Sequence, residues 1–322
     1  MEEKLITVTS TPHIRSKDTI EKIMLDVIIA LMPACIAGAY FFGIKAISIL
    51  LLSVASCVGF ELLFQKAVKK PQTVTDLSAV VTGLLLAMNL PVSSPLWMPI
   101  VGAFVAIILV KQLFGGLGQN FINPALLARA FLLTSYLPEM TEWTVDGVAT
   151  VTPLENLKNG VLPVTQDYIN ALLGTNLGGC IGEVSAVALL LGGIYLILKR
   201  VISWRIPVMY LLTVFLLSFV LRRGSGIAPV PFYELITGGL LLGAIFMATD
   251  YSTSPITPNG KIIMGIGCGI LTVLIRFYGG YPEGVSFAIL LMNLAVPLID
   301  RFCKPRVYGV SKKKKQALRG GE

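Results

Sequence analysis

Charge is scarce in this chain. Asp, Glu, Lys and Arg make up 14% of its 322 residues, against 55% hydrophobic. A soluble domain carries about a quarter charged residues, so an ordinary water-soluble fold is excluded. Histidine is nearly absent, with His13 alone, and the five cysteines (Cys35, Cys57, Cys180, Cys268, Cys303) include no C-x-x-C pair. That argues against an iron–sulfur or zinc site built within the chain. Most of these cysteines read instead as small buried apolar residues. A cleavable signal is also missing: residues 1–23 are polar and mix acids with bases, so the first apolar run stays as a helix.

What the chain has in abundance is apolar run. Val27–Phe42, Ala46–Phe60, Pro99–Val110, Val184–Leu198 and Val208–Leu221 approach the ~20 residues that cross a bilayer. Each must satisfy its own backbone, because lipid offers no hydrogen-bond partners. The expected fold class is an all-α polytopic membrane protein. About ten spans are expected, at 24–42, 46–65, 76–91, 98–112, 122–136, 183–198, 206–221, 232–249, 261–276 and 284–299. These divide the chain into a polar segment at 1–23, a five-helix half at 24–136, a loop at 137–182, a second five-helix half at 183–299 and a basic tail at 300–322.

Basic residues set the orientation. Lys4, Arg15, Lys17 and Lys22 precede the first span, and Lys66, Lys69 and Lys70 follow the second. Lys199, Arg200 and Arg205 follow the sixth, and Arg301, Lys304, Arg306, Lys312–Lys315 and Arg319 follow the tenth. An even span count puts them all on the cytoplasmic side, with both termini. The opposite side holds only Lys45, Lys158, Arg222, Arg223 and Arg276, and the 137–182 loop faces outward there. The net charge of +8 is accounted for by this rim and tail, which suit anionic lipid headgroups rather than nucleic acid.

The two halves resemble each other. Thr82-Gly83 followed by Leu84–Leu86 recurs as Thr237-Gly238-Gly239 followed by Leu240–Leu242. Ser94-Pro95 recurs as Ser254-Pro255, and Lys111 with Gly115-Gly116 recurs as Arg276 with Gly279-Gly280. Five spans per half is odd, so the second half is inverted, and such repeats place broken helices near a central site. The interrupted stretches are 89–95, 115–123 and 249–255. Gly115–Asn120 is a weak dinucleotide match, since no strand or βαβ frame surrounds it.

Charged groups within spans are costly and often mark ion paths. Asp26, Asp76, Asn89, Asn120, Asn123, Arg129, Glu183, Glu234 and Asp250 lie in or beside spans. For Asp26 and Glu234, near predicted ends, capping or snorkelling is the favoured reading. Arg129 sits mid-span and needs a carboxylate or a ligand's anionic group as partner. Glu183, after a Gly-rich stretch, reads either as a helix start or as part of an ion path with Asp250. In the loop, Asp146–Leu154 combines an acid, hydroxyls and small residues, an accessible place for a covalent attachment.

Several ordered motifs carry a resemblance that covers nearly the whole chain. Gly115–Asn120 with Asn123-Pro124-Ala125, Gly182–Ala186, and Met247–Asp250 with Thr253–Thr257 and Gly260-Lys261 resemble the family of D-type subunits of the Rnf complex. The B-type subunit of the Na⁺-translocating NADH:quinone reductase is a relative within it. The length, without a long amino-terminal extension, looks more like the Rnf protein.

The resemblance implies ten helices in inverted repeats, similar to urea transporters. It implies an electron-transfer subunit of a complex that couples electron flow between ferredoxin and NAD⁺ to Na⁺ or H⁺ movement. The enzyme is then the whole complex, an ion-translocating oxidoreductase, and no residue here takes a catalytic or metal-ligating role. The resemblance further implies FMN joined to a threonine through a phosphoester, installed by a flavin transferase, with A-, B-, C-, E- and G-type Rnf subunits as partners. The family's acceptor motif begins here at Asp146 and places the acceptor at Thr152. Ala149 and Val151 depart from it, which leaves Thr150 as a second candidate. A non-covalent riboflavin is expected in the helical core, with Asn120, Asn123, Thr253, Ser254 and Thr257 as candidates to hold it. The alternatives are a quinone-reductase B-type subunit and a urea-transporter-like solute channel without flavin.

Overall fold

The computed structural model describes residues 19–145, 148–175, 178–221, 229–280 and 284–304. Asp146, Gly147, Arg222, Arg223 and the Lys312–Lys315 run lie outside them.

Helix α1 spans Ile20–Ala67, 48 residues, and Thr19 caps its start by accepting from the Lys22 amide. At about 1.5 Å per residue it measures roughly 72 Å, more than twice the ~30 Å of a hydrocarbon core. Its backbone leaves helical geometry at Gly43 (φ 68°, ψ −151°), a conformation that glycine tolerates. The two segments on either side match the spans expected at 24–42 and 46–65.

A single 3₁₀ turn (Val74–Asp76) leads into α2 (Ser78–Met88), which packs along α1. A Cβ on Gly83 would meet the Val54 Cα at 2.7 Å, so the contact is close enough to demand glycine. After the break at 89–96, α3 (Trp97–Phe104) continues as a π-helix over Val105–Gln112. The glycine loop follows, and then α4 (Pro124–Ser135).

Between the halves lie α5 (Leu137–Thr141), β1 (Trp143–Val145), β2 (Val148–Thr150), α6 (Pro153–Lys158) and α7 (Thr165–Leu173). The strands pair antiparallel, Trp143 opposite Thr150. This hairpin is an addition to the all-helical expectation. Its cause is local: Trp143, Thr144, Val145, Val148 and Thr150 are aromatic or β-branched residues that favour strands.

The second half comprises α8 (Ala186–Leu198), α9 (Arg205–Leu221), α10 (Pro229–Ile236), α11 (Leu240–Leu242), α12 (Pro258–Tyr278) and α13 (Val285–Phe302). A π-helix at Gly243–Met247 prolongs α11. The span expected at 232–249 is broken, with a 61° bend between α10 and α11. Gly238 and Gly239 (φ 70° and 67°) make the break.

Helices α1, α12 and α13 are long and apolar enough to cross a bilayer, and the bent α10–α11 pair makes a fourth. The other apolar helices are shorter, at 10–17 residues. Only 28% of the most apolar α1 window is buried, and Ile44, Leu51, Leu198 and Phe302 are widely exposed. Apolar surface on this scale suits lipid, not water.

Candidate functional site

The sequence puts Arg129 in mid-helix, and a buried guanidinium must find partners for its donors. Helix α4 carries it into the space between the halves, 5% exposed. One terminal nitrogen donates to Asn89 Oδ1 (3.2 Å) and Ser286 Oγ (2.8 Å). The other donates to Cys180 Sγ (3.5 Å) and lies 3.9 Å from Glu183 Oε1. The carboxylate that Arg129 requires is therefore Glu183. The helix start expected at Glu183 falls slightly later: Ile181–Glu183 is a 3₁₀ turn, and Ser185 caps α8 by accepting from the Ala188 amide (3.3 Å).

The end of the interhalf loop is drawn inward. Cys180 and Ile181 are buried, Ile181 N donates to Leu90 O (3.1 Å), and Cys180 Sγ donates to Asn89 O (3.2 Å). This segment fills the break after α2 and supplies partners to backbone groups that the interrupted helix leaves open. The polar contacts then continue across the molecule. Asn123 Nδ2 donates to Met247 O (3.3 Å), while its Oδ1 accepts from Ala125 N and Leu126 N (3.1 and 3.2 Å), capping α4. With its amide turned so that Oδ1 faces Asn123 N, the orientation that satisfies both ends, Asn293 accepts from Asn123 N and donates to Thr253 O, both at 3.2 Å.

Thr152 stands at the N-cap of α6, its Oγ1 accepting from Glu155 N (3.3 Å), with Pro153 next. It is 4% exposed. It lies on the wall of a cavity of about 330 Å³, shared with Arg129, Leu133, Met140, Trp143 and Phe287. On its other side is a recess of about 20 Å³ that Glu183 lines. Thr150 faces elsewhere: its hydroxyl looks onto Gly178, beside a separate space of about 130 Å³. Tyr168 of α7 packs edge-on against Tyr233, and burial and the Asp167 carboxylate hold its hydroxyl pKa above the usual value.

The loop is fastened to both halves. Ser93 Oγ donates to Glu142 O, Lys158 Nζ donates to Gly279 O (2.8 Å), and Leu154 is buried against Gly238.

A second cavity, of about 80 Å³, lies between α1, α2, the start of α4 and the break after Met247. Asn120, Asn123 and Asp250 line it, as do Thr249 and Ser252. Thr253, Ser254 and Thr257 do not. Thr253 Oγ1 donates to Asp250 Oδ2 (3.2 Å), and Thr257 Oγ1 caps α12 by accepting from Gly260 N (3.1 Å).

Two buried charged clusters complete the interior. Glu61 and Lys111 form an ion pair at 2.9 Å, with Ser78 Oγ accepting from Lys111 Nζ (2.6 Å) and Gln112 Nε2 donating to Glu61 (2.8 Å). Sequence reasoning passes over Glu61, although a lone carboxylate inside the apolar run 46–65 is the signal. In the second half, Glu234 accepts from Ser218 Oγ (2.5 Å), and Arg276 donates to the carbonyls of Glu234 and Thr237 (2.9 and 3.4 Å). Glu234 is wholly buried, so it does not snorkel as expected. Asp26, half-buried, accepts from Tyr195 OH (2.7 Å) and ties α1 to α8.

A mainly helical chain with lipid-suited surfaces, a buried polar seam and cavities on it defines a multi-pass membrane protein. Residues 7–309 match the model of the NQR2, RnfD, RnfE family, and the chain belongs to that family. It is 53% identical to the D subunit of the Na(+)-translocating ferredoxin:NAD(+) oxidoreductase complex of Acetobacterium woodii, over 98% of this chain and 99% of that one. It is 43% identical to the D subunit of the proton-translocating ferredoxin:NAD(+) oxidoreductase complex of Clostridium ljungdahlii, over 96% and 98%. It is 39% identical to the D subunit of the ion-translocating oxidoreductase complex of Stutzerimonas stutzeri, over 91% and 93%.

Proposed function

We propose that this chain is the D-type membrane subunit of an Rnf complex, passing electrons between ferredoxin and NAD⁺ carriers while the complex moves Na⁺ or H⁺. The observation that carries this reading is 53% identity to a D-type subunit over nearly its full length. Relatives named for Na⁺ and for protons are both similar along the whole chain, so the coupling ion is left as either one. The A-, B-, C-, E- and G-type subunits and a flavin transferase are the proposed partners, with lipid around the helices.

FMN on Thr152 belongs to the same reading. Ligand pockets measure about 300–1,000 Å³, and the ≈330 Å³ cavity beside Thr152 reaches that range. The space beside Thr150, about 130 Å³, does not. The flavin, when bound, supplies the electron-carrying chemistry. The protein supplies position: Trp143 and Phe287 wall the cavity, the hairpin and α6 fix the attachment point, and Leu154 anchors it on Gly238. Riboflavin fits less well. Asn120, Asn123 and Asp250 offer the right donors and acceptors, but their cavity of about 80 Å³ is too small for the ring system, so no step is assigned there.

The proposed topology keeps both termini cytoplasmic and the 137–182 loop outside, with inverted halves at 24–136 and 183–299. The two halves support this with a matching feature. Each buries a cation, Lys111 or Arg276, near the end of its fourth span.

The test is a denaturing gel viewed under ultraviolet light, with the chain produced beside its flavin transferase. A fluorescent band is expected that Thr152→Ala abolishes and Thr150→Ala keeps. A dark parent band would reject covalent flavin.

A further inference from the structure

We propose that Arg129 is the charged partner of the flavin held at Thr152, a positioning residue that makes this flavin easier to reduce. The inference rests on the proposed attachment and adds to it the residue that sets the ring's electronic environment.

Three observations carry it. Arg129 and Thr152 line one cavity of about 330 Å³, so a ring tethered at Thr152 and lying in that cavity shares it with the guanidinium. Glu183, the neighbouring acid, lines the small recess on the other side of Thr152 and not this cavity. Glu155 is the acid that does line this cavity, but it is exposed, so water screens its charge, whereas the buried Arg129 cation is screened much less. Finally, the guanidinium is fixed: Asn89, Ser286 and Cys180, from three different segments, all accept from it, and it is 5% exposed. A cation held in place before the reaction costs no reorganisation when charge develops.

The chemistry balances simply. An electron delivered by the complex's own donors adds one negative charge to the ring, and passing it to the next carrier removes that charge. In a low-dielectric cavity a fixed cation stabilises the charged, reduced ring more than the neutral, oxidised one. Leu133, Met140, Trp143 and Phe287 give the cavity apolar and aromatic walls beside the polar Thr141, Ser286 and Glu155.

Arg129→Gln, Arg129→Lys, Glu183→Gln and Thr152→Ala are made in the whole complex, with the transferase present. Gel fluorescence reports attachment. A redox titration of each complex, with the Thr152→Ala trace subtracted, reports the potential of this flavin alone. Attachment is expected in all but Thr152→Ala. Arg129→Gln is expected to titrate at lower potential than the parent, Arg129→Lys close to it, and Glu183→Gln at higher potential. The opposite shifts of the two neutral variants separate an electrostatic role from loss of packing. Equal potentials in parent and Arg129→Gln would overturn the proposal. Should Arg129→Gln fail to accumulate, an unshifted or lowered potential in Glu183→Gln overturns it instead. A dark parent band rejects the attachment reading itself, a result distinct from either.

Discussion

Breaking the Glu61–Lys111 pair should destabilise the protein far more than removing both of its members. The pair is almost fully withdrawn from solvent, at 0% and 2% exposed. Lys111 Nζ donates to both oxygens of Glu61 (3.0 and 2.9 Å) and to Ser78 Oγ (2.6 Å), so all three of its protons are used. Deleting one partner strands a buried charge, which costs about 3–5 kcal/mol. Lys111→Met alone leaves Glu61 facing Gln112 and Gln65 with no cation. Glu61→Leu alone leaves an ammonium with one hydroxyl. Replacing both with apolar residues of similar volume ranges from neutral to about 1–4 kcal/mol stabilising, because neither charge then needs desolvation.

One kcal/mol shifts a melting midpoint by about 2–4 °C in chains of 150–250 residues. Each single variant should therefore melt roughly 6–20 °C below the parent, and the double variant near or above it. The assay is a thermal melt in detergent followed with a thiol-reactive dye, since Cys35, Cys57, Cys180 and Cys268 are buried until the protein unfolds. Single variants as stable as the parent, or a double variant no better than either single, would refute the reasoning.

Asn123→Ala removes the cap of α4 and the donor to Met247 O and should cost at least about 1 kcal/mol. Asn123→Asp keeps the cap acceptor but loses that donor and buries a carboxylate, so it should not recover the parent's stability in the same melt. Gly238→Ala places a side chain at φ 70° and drives it into Leu154 Cδ1. It should cost more than the ~1 kcal/mol of an ordinary glycine replacement and lower the flavin fluorescence of the gel band by unseating the loop. Thr152→Ala should darken that band while leaving the melt within about 2 kcal/mol of the parent, the upper range for losing a threonine cap.

Much of the architecture is legible because lipid imposes one rule on every span. Backbone groups must pair within the segment, so apolar length alone marks helices such as Pro258–Tyr278 and Val285–Phe302 within three residues of expectation. Breaks are legible where proline and short polar residues write them, at 89–95 and 249–255. The hairpin escapes a reading that takes Asp146-Gly147 only as the start of an attachment motif, although the same dipeptide signals a turn. Arg129 is visible as a charge in need of a partner. That Glu183, Asn89, Cys180 and Ser286 meet it is not visible, since they are scattered far apart along the chain.

The sequence by itself determined the membrane class, the helical elements and the family, because hydropathy, turn chemistry and ordered motifs are local properties. Tertiary structure decided what those elements enclose. Thr150 and Thr152 sit two residues apart with the same hydroxyl, yet only Thr152 borders the larger cavity and its guanidinium. Cavity volume and charge placement depend on how distant helices pack, and that packing is written in no single stretch of the chain.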